Sequence, residues 1–146
     1  MRRALLAALA VYLGAAAYLV LWPQPDAPAD AIARIVDELQ ARDITSITAS
    51  MVEFILNVVL FVPLTLLGML IWRRTSALLW IVVGVGVSVL IEVVQTVALP
   101  DRDGTSTDLV ANTIGALAGV AVGVVLRWIA VRLRRGRRTA TATTGR

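Results

Sequence analysis

Polar side chains that could bind a ligand or move a proton occur inside long apolar stretches of this sequence. They form three groups at helical spacing, with one arginine between the last two groups: Glu53 and Asn57, Glu92 and Gln95, Arg102, and Asp108 and Asn112. A carboxylate at the centre of a membrane helix costs roughly 2.5–3.5 kcal/mol on insertion scales. Such side chains normally face a protein interior or a wet cavity, so we expect them to form the functional site.

The composition predicts an all-α membrane protein. Of the 146 residues, 58% are hydrophobic and 16% are charged, whereas about a quarter of the residues in a soluble domain are charged. The chain has no cysteine and no histidine, which excludes disulfides, thiol catalysis, histidine-based triads and the usual zinc ligands. The basic residues are all arginines that flank apolar runs, a pattern that favours membrane topology signals over nucleic-acid binding.

Four apolar runs, about 4–22, 51–72, 77–99 and 109–131, are each long enough to cross a membrane. A helix needs about 20 residues to span the hydrocarbon core. The first run exceeds the apolar part of a typical signal peptide, which favours a retained helix. We therefore predict a polytopic domain of four transmembrane helices over residues 1–131, followed by a basic, disordered cytoplasmic tail over residues 132–146.

Arginines predict the orientation of these helices. They cluster before the first run, between the second and third runs, and after the fourth run. Because positive residues concentrate on the cytoplasmic side, we predict a multi-pass protein of the plasma membrane with both termini inside. The loop 23–50 would then lie outside, and its segment from Asp30 to Ala41 predicts a short amphipathic helix that Asp30 could cap.

Glu92 is the polar residue that membrane packing explains least well. It lies eight residues before Pro100, about 12 Å inside the outer boundary at the rise of an α-helix. A carboxylate at that depth needs a partner, and Arg102 is the nearest outer cation in the sequence. We therefore predict an ion pair between Glu92 and Arg102.

Small residues predict close packing of the helices. Gly115, Gly119 and Gly123 repeat every fourth residue, which permits close approach of a neighbouring helix, and Gly84 and Ser88 offer a similar face.

A separate feature is the proline at position 63, in the middle of the second apolar run. It removes a backbone hydrogen bond and should kink that helix.

Several motifs together resemble one family. They are Glu53-Phe54-Ile55-Leu56-Asn57 followed by Phe61-Val62-Pro63-Leu64, Glu92-x-x-Gln95, Arg102, Asp108-x-x-x-Asn112, and Gly115 with Gly119. From about Val52 to Gly123 the chain resembles the VanZ-like family of small membrane proteins. Thr65 departs from the pattern, because a glycine would be expected after Pro-Leu. The resemblance implies a role in the cell envelope, and the namesake of the family is linked to resistance to the glycopeptide teicoplanin.

Three functions remain open from the sequence. In the first hypothesis, an outer site binds or processes a lipid headgroup or a lipid-linked cell-wall precursor, or it binds a glycopeptide. Glu53, Glu92 and Asp108 would bind or catalyse, while Asn57, Gln95, Arg102 and Asn112 would orient the ligand. In the second, the polar network only fixes the helix bundle and a partner surface. A small transporter is the third, disfavoured because no carboxylate lies along the inner half. The spacing shows no calcium-loop pattern, and we assign no metal or cofactor.

Overall fold

The computed structural model describes residues 2–20, 26–98 and 106–143. Over these residues the chain is all-helical, without strands, and its five helices are α1 (Arg2–Val20), α2 (Asp26–Gln40), α3 (Ala49–Ile71), α4 (Ala77–Ala98) and α5 (Ser106–Thr143). Helices α1, α3, α4 and α5 are each long and apolar enough to cross a membrane. The predicted polytopic fold with four spanning helices and one short extra helix is therefore confirmed.

Two helices are longer than the sequence predicted. The α5 helix continues to Thr143, so residues 132–143 are helical where we predicted a disordered tail. Alanine and arginine are strong helix formers, and extending an existing helix avoids the cost of nucleation. The α2 helix begins at Asp26, which leaves Asp30 inside the helix and not at its cap. Pro28 is tolerated there because the first turn of a helix has no intrahelical acceptors for its N–H groups.

The core of the bundle is the contact between α3 and α5, which run parallel. A Cβ added at Gly115 would lie 2.3 Å from the carbonyl oxygen of Val58, and one at Gly119 would lie 2.3 Å from that of Val62. These distances leave no room for a side chain, so the backbone of α5 is in direct contact with the backbone of α3 at these two positions. The predicted packing role of the glycine repeat is confirmed at these two positions.

Helix α4 runs antiparallel to α5 and completes the core. Gly84 faces Ala116, since a Cβ at Gly84 would lie 2.6 Å from the Ala116 Cβ. Thr65 of α3 is fully buried where the three helices meet, and its hydroxyl donates a 3.0 Å hydrogen bond to the Ala116 carbonyl. The residue that departs from the family pattern therefore both fills the centre of the core and bonds across it.

Helices α1 and α2 lie at the edge of this core. No residue in the apolar window of α1 is buried, although the Tyr12 hydroxyl donates a hydrogen bond to the Leu60 carbonyl of α3. The α2 helix contacts α3 and ends in a turn where the Ile44 N–H bonds to the Leu39 carbonyl and Asp43 adopts a φ of 61°. This is the Schellman arrangement, with aspartate in the left-handed position usually taken by glycine.

Candidate functional site

Two hydrogen bonds join polar side chains at one end of the bundle. We call this the polar end, and it contains the beginnings of α3 and α5 and the end of α4. The Asn57 amide on α3 donates to the Asp108 carboxylate on α5 at 2.7 Å. The Asn112 amide, one turn further along α5, donates to the Ser88 hydroxyl on α4 at 2.9 Å. Polar residues from all three core helices therefore meet at one level, as the sequence predicted.

A small pocket lies between α4 and α5 at this level. Its lining consists of Ser88, Ile91, Glu92, Gln95, Asp108, Leu109 and Asn112, and we call it the polar pocket. Its volume is about 10 Å³, and a space of roughly 10–15 Å³ holds about one water molecule. The polar pocket can therefore take a single small polar group and not an entire headgroup.

Asn112 has an unused hydrogen-bond acceptor. The residue is 7% exposed, and its Oδ1 atom is buried without a hydrogen-bond partner among the described residues. The amide nitrogen of the same side chain already donates a hydrogen bond to the Ser88 hydroxyl. A buried polar atom without a partner costs about 1–3 kcal/mol, so a group that donates a hydrogen bond to this atom would be stabilised there.

The α4 wall of the pocket comes from one face of the helix. Ser88, Glu92 and Gln95 are spaced by four and then three residues, which places them on the same side of α4. The Glu92 and Gln95 side chains are both half-buried. Helix geometry thus brings a carboxylate, an amide and a hydroxyl toward Asp108 and Asn112 on α5.

Comparison with known proteins identifies the family of this chain. The model of the VanZ/LLP1 family matches residues 9–127 of the chain. The protein belongs to the VanZ/LLP1 family. Neither the curated proteins nor the solved structures include a significant match to the chain. The matched region contains the whole polar pocket and both of the hydrogen bonds described above.

Five of the predicted site residues come together in this VanZ/LLP1 protein, and one other described residue does not. Glu92, Gln95, Asp108 and Asn112 line the polar pocket, and Asn57 joins them through Asp108. Glu53 is exposed and does not line the pocket, so its catalytic role stays a prediction. Arg102 lies outside the described residues, and its pairing with Glu92 also stays a prediction.

Ser88 is a site residue that sequence reasoning treated only as a packing residue. It is 2% exposed, lines the polar pocket and accepts the hydrogen bond from Asn112. A signal was present in the sequence, because Ser88 lies one helical turn before Glu92 in an otherwise apolar stretch.

Arg127 has a structural role at the other end of the bundle. Its guanidinium donates hydrogen bonds to the backbone carbonyls of Met69, Trp72 and Thr75, which are the last carbonyls of α3 and the turn after it. The sequence suggested only a charge that marks the membrane boundary. The structure shows an arginine on α5 that satisfies the end of α3.

The polar pocket is rich in hydrogen-bond acceptors, although Ser88 and Gln95 can also donate. The Glu92 and Asp108 carboxylates and the Asn112 Oδ1 atom all accept, and no arginine lines the pocket among the residues that the structure describes. No group of three or more histidine, cysteine, aspartate or glutamate residues within that part of the chain could hold a metal ion. The groups that best complement the pocket are therefore a hydroxyl or an ammonium.

Proposed function

We propose that this VanZ/LLP1 protein is a cell-envelope membrane protein that binds a hydroxyl or ammonium group of a membrane lipid or lipid-linked cell-wall precursor in its polar pocket. The observation that carries the proposal is the buried, unpartnered Oδ1 atom of Asn112. It lies in a pocket that also contains two carboxylates, Glu92 and Asp108. A donor group entering the pocket would satisfy this acceptor, and an ammonium would also offset the negative charge of the carboxylates.

The location of the pocket favours a ligand that is part of the membrane. It lies between helices that are long and apolar enough to span a bilayer, near their ends. The arginine pattern supports an extracytoplasmic position for the polar end. Because the pocket holds about one small group, the remainder of the headgroup would lie outside it, toward the membrane surface.

Lipid retention by the purified protein tests the proposal. Native mass spectrometry of the protein in detergent would be done with phosphatidylethanolamine, phosphatidylglycerol and undecaprenyl diphosphate-linked disaccharide as separate probes. We expect Glu92→Gln and Asn112→Leu to weaken retention of at least one probe by about tenfold, equivalent to about 1.4 kcal/mol. Glu38→Gln, on the exposed surface of α2, is the matched control. Equal retention by all variants would contradict the proposal, and a modified lipid in the spectrum would extend it to catalysis.

A purely structural role is the second candidate, and the side-chain hydrogen bonds described at the polar end favour it. Asn57 with Asp108, and Asn112 with Ser88, hold α3 and α4 to α5. Under this alternative, the Glu92→Gln variant would keep its lipid retention, since Glu92 takes part in neither bond. Lost stability without any change in lipid retention would favour this candidate.

The family also suggests a phenotype for the whole cell. Teicoplanin susceptibility would be compared between cells that produce the wild-type protein, cells that produce Glu92→Gln and cells without the protein. Lower susceptibility that depends on Glu92 would connect the polar pocket with glycopeptide resistance. Equal susceptibility in all three would separate this protein from the resistance role of the family's namesake.

A further inference from the structure

A second cavity, far larger and entirely different in character, lies between α1, α3 and α4. Its volume is about 230 Å³, and we call it the apolar cleft. It is lined by α1 from Tyr12 to Ala17, by α3 from Leu60 to Leu64 and by α4 from Val87 to Val94. An apolar cavity of about 150 Å³ already binds benzene, so this cleft has room for a segment of a hydrocarbon chain.

Among the described residues, the apolar cleft has no free polar group in its lining. Tyr12 is the one of these lining residues with a polar side-chain atom, and its hydroxyl is bonded to the Leu60 carbonyl. Cavities with such linings stay dry and take apolar ligands. Ala16 and Ala17 supply much of the α1 wall, and their small side chains leave the space into which a chain could fit.

Ile91 lies between the cleft and the polar pocket, because it lines both. The polar residues of α4 in the pocket, Ser88 and Glu92, and the apolar residues in the cleft, Val87 and Val94, occupy neighbouring sectors of one helix at 3.6 residues per turn. Ile91 is at the boundary between these sectors. The two cavities are therefore adjacent on α4, close enough for different parts of a single molecule to occupy them.

We infer that the ligand of the polar pocket is an amphiphile whose hydrocarbon chain lies in the apolar cleft between α1 and α4. The inference rests on the proposed function and adds the part of the molecule that the pocket cannot hold. The shared lining residue Ile91, and the polar character of one cavity beside the apolar character of the other, support one amphiphilic occupant for both. A fatty acyl chain and a polyprenyl chain share this chemistry, and the experiment separates them.

Filling the cleft tests the inference. Ala16→Trp places a large side chain in the cleft, whereas Ala15→Trp adds the same side chain at an exposed α1 position outside the lining. Retention of phosphatidylglycerol and of undecaprenyl phosphate would be measured separately by native mass spectrometry. We expect Ala16→Trp to weaken retention of the preferred lipid by about tenfold and Ala15→Trp to leave it within about twofold. The lipid whose retention falls identifies an acyl or a polyprenyl chain.

A smaller substitution keeps the test valid if Ala16→Trp does not fold. Ala17→Leu also narrows the cleft, and it adds less volume than a tryptophan does, at an exposed position of α1. Comparison with Glu92→Gln then separates the two proposals. Loss of binding in Glu92→Gln with full binding in both cleft variants would overturn the chain site and leave the pocket intact. Loss in the cleft variants with full binding in Glu92→Gln would overturn the pocket and keep the chain site.

Discussion

Asn57 on α3 and Asp108 on α5 are joined by a 2.7 Å hydrogen bond between their side chains, and Asp108 also lines the polar pocket. One carboxylate thus contributes both to helix packing and to the candidate site. Asp108 lies in the first turn of α5, where the helix dipole favours a negative charge. The position of this charge is therefore fixed by the helix to which it belongs and by the amide of a neighbouring helix.

The two roles of Asp108 can be separated by substitution. Asp108→Asn retains an oxygen that accepts the bond from Asn57 and loses only the charge that the helix dipole favours, so we expect its unfolding free energy to fall by no more than about 1 kcal/mol. Asp108→Leu removes the acceptor and leaves the Asn57 amide without a partner, which should cost about 1–2 kcal/mol. Unfolding by SDS in mixed micelles would measure both. Equal stability of the two variants would show that the hydrogen bond has no part in holding α3 to α5.

The helices were predictable because their signals are local. The apolar runs, the small residues of α5 and the stripe of α2 all follow from side-chain type and helical period. The ends of α2 and α5 were less predictable. Asp30 was expected to cap α2, but the helix begins at Asp26 because Pro28 is accepted in a first helical turn, and the arginine-rich segment after Val131 continues an existing helix.

The site was predictable in its members but not in its contacts. Polar residues in apolar helices identified Glu92, Asp108 and Asn112, because membranes make such residues costly. Which polar residue meets which depends on the register between helices, and that register depends on backbone contacts such as Gly119 against Val62. For the same reason the bonds of Ser88 and Arg127 could not be derived from spacing along the chain.

Glycine at position 119 should be essential for the contact between α3 and α5. A Cβ there would lie 2.2 Å from the Thr65 hydroxyl and 2.3 Å from the Val62 carbonyl oxygen, and a backbone atom cannot rotate away. We expect Gly119→Ala to lower the free energy of unfolding by about 1–3 kcal/mol, the typical cost of overpacking a core. Gly86→Ala is the matched control, because beyond the adjoining backbone of α4 nothing lies within 4 Å of a Cβ at that position. Thermal denaturation in detergent checks the pair, and an unchanged melting temperature for Gly119→Ala would contradict the packing.

Thr65 should contribute through both its volume and its hydroxyl. Thr65→Val keeps the shape but loses the bond to the Ala116 carbonyl, and bonds between membrane helices contribute about 0.6 kcal/mol on average. Thr65→Gly, the residue that the family pattern would lead one to expect, leaves a void among three helices and should cost more than Thr65→Val. Melting temperatures in the order wild type, Thr65→Val, Thr65→Gly would confirm this. A Thr65→Gly variant as stable as the wild type would mean that the helices close the void by moving together.

Arg127 should stabilise the bundle through geometry as well as charge. Its guanidinium reaches carbonyls of three residues at once, with distances of 2.9 Å to Trp72, 3.0 Å to Thr75 and 3.1 Å to Met69. A lysine keeps the charge, but its single ammonium cannot present the planar set of donors that spans these acceptors. We expect Arg127→Lys to cost about 1.5–3 kcal/mol, the range for hydrogen bonds to charged groups. Arg132→Lys is the control: its side chain is exposed and stacks on the Trp128 ring, a contact that lysine can also make. If SDS unfolding gives the two variants equal stability, the contribution of Arg127 is its charge alone, and the end of α3 does not depend on this arginine for its hydrogen bonds.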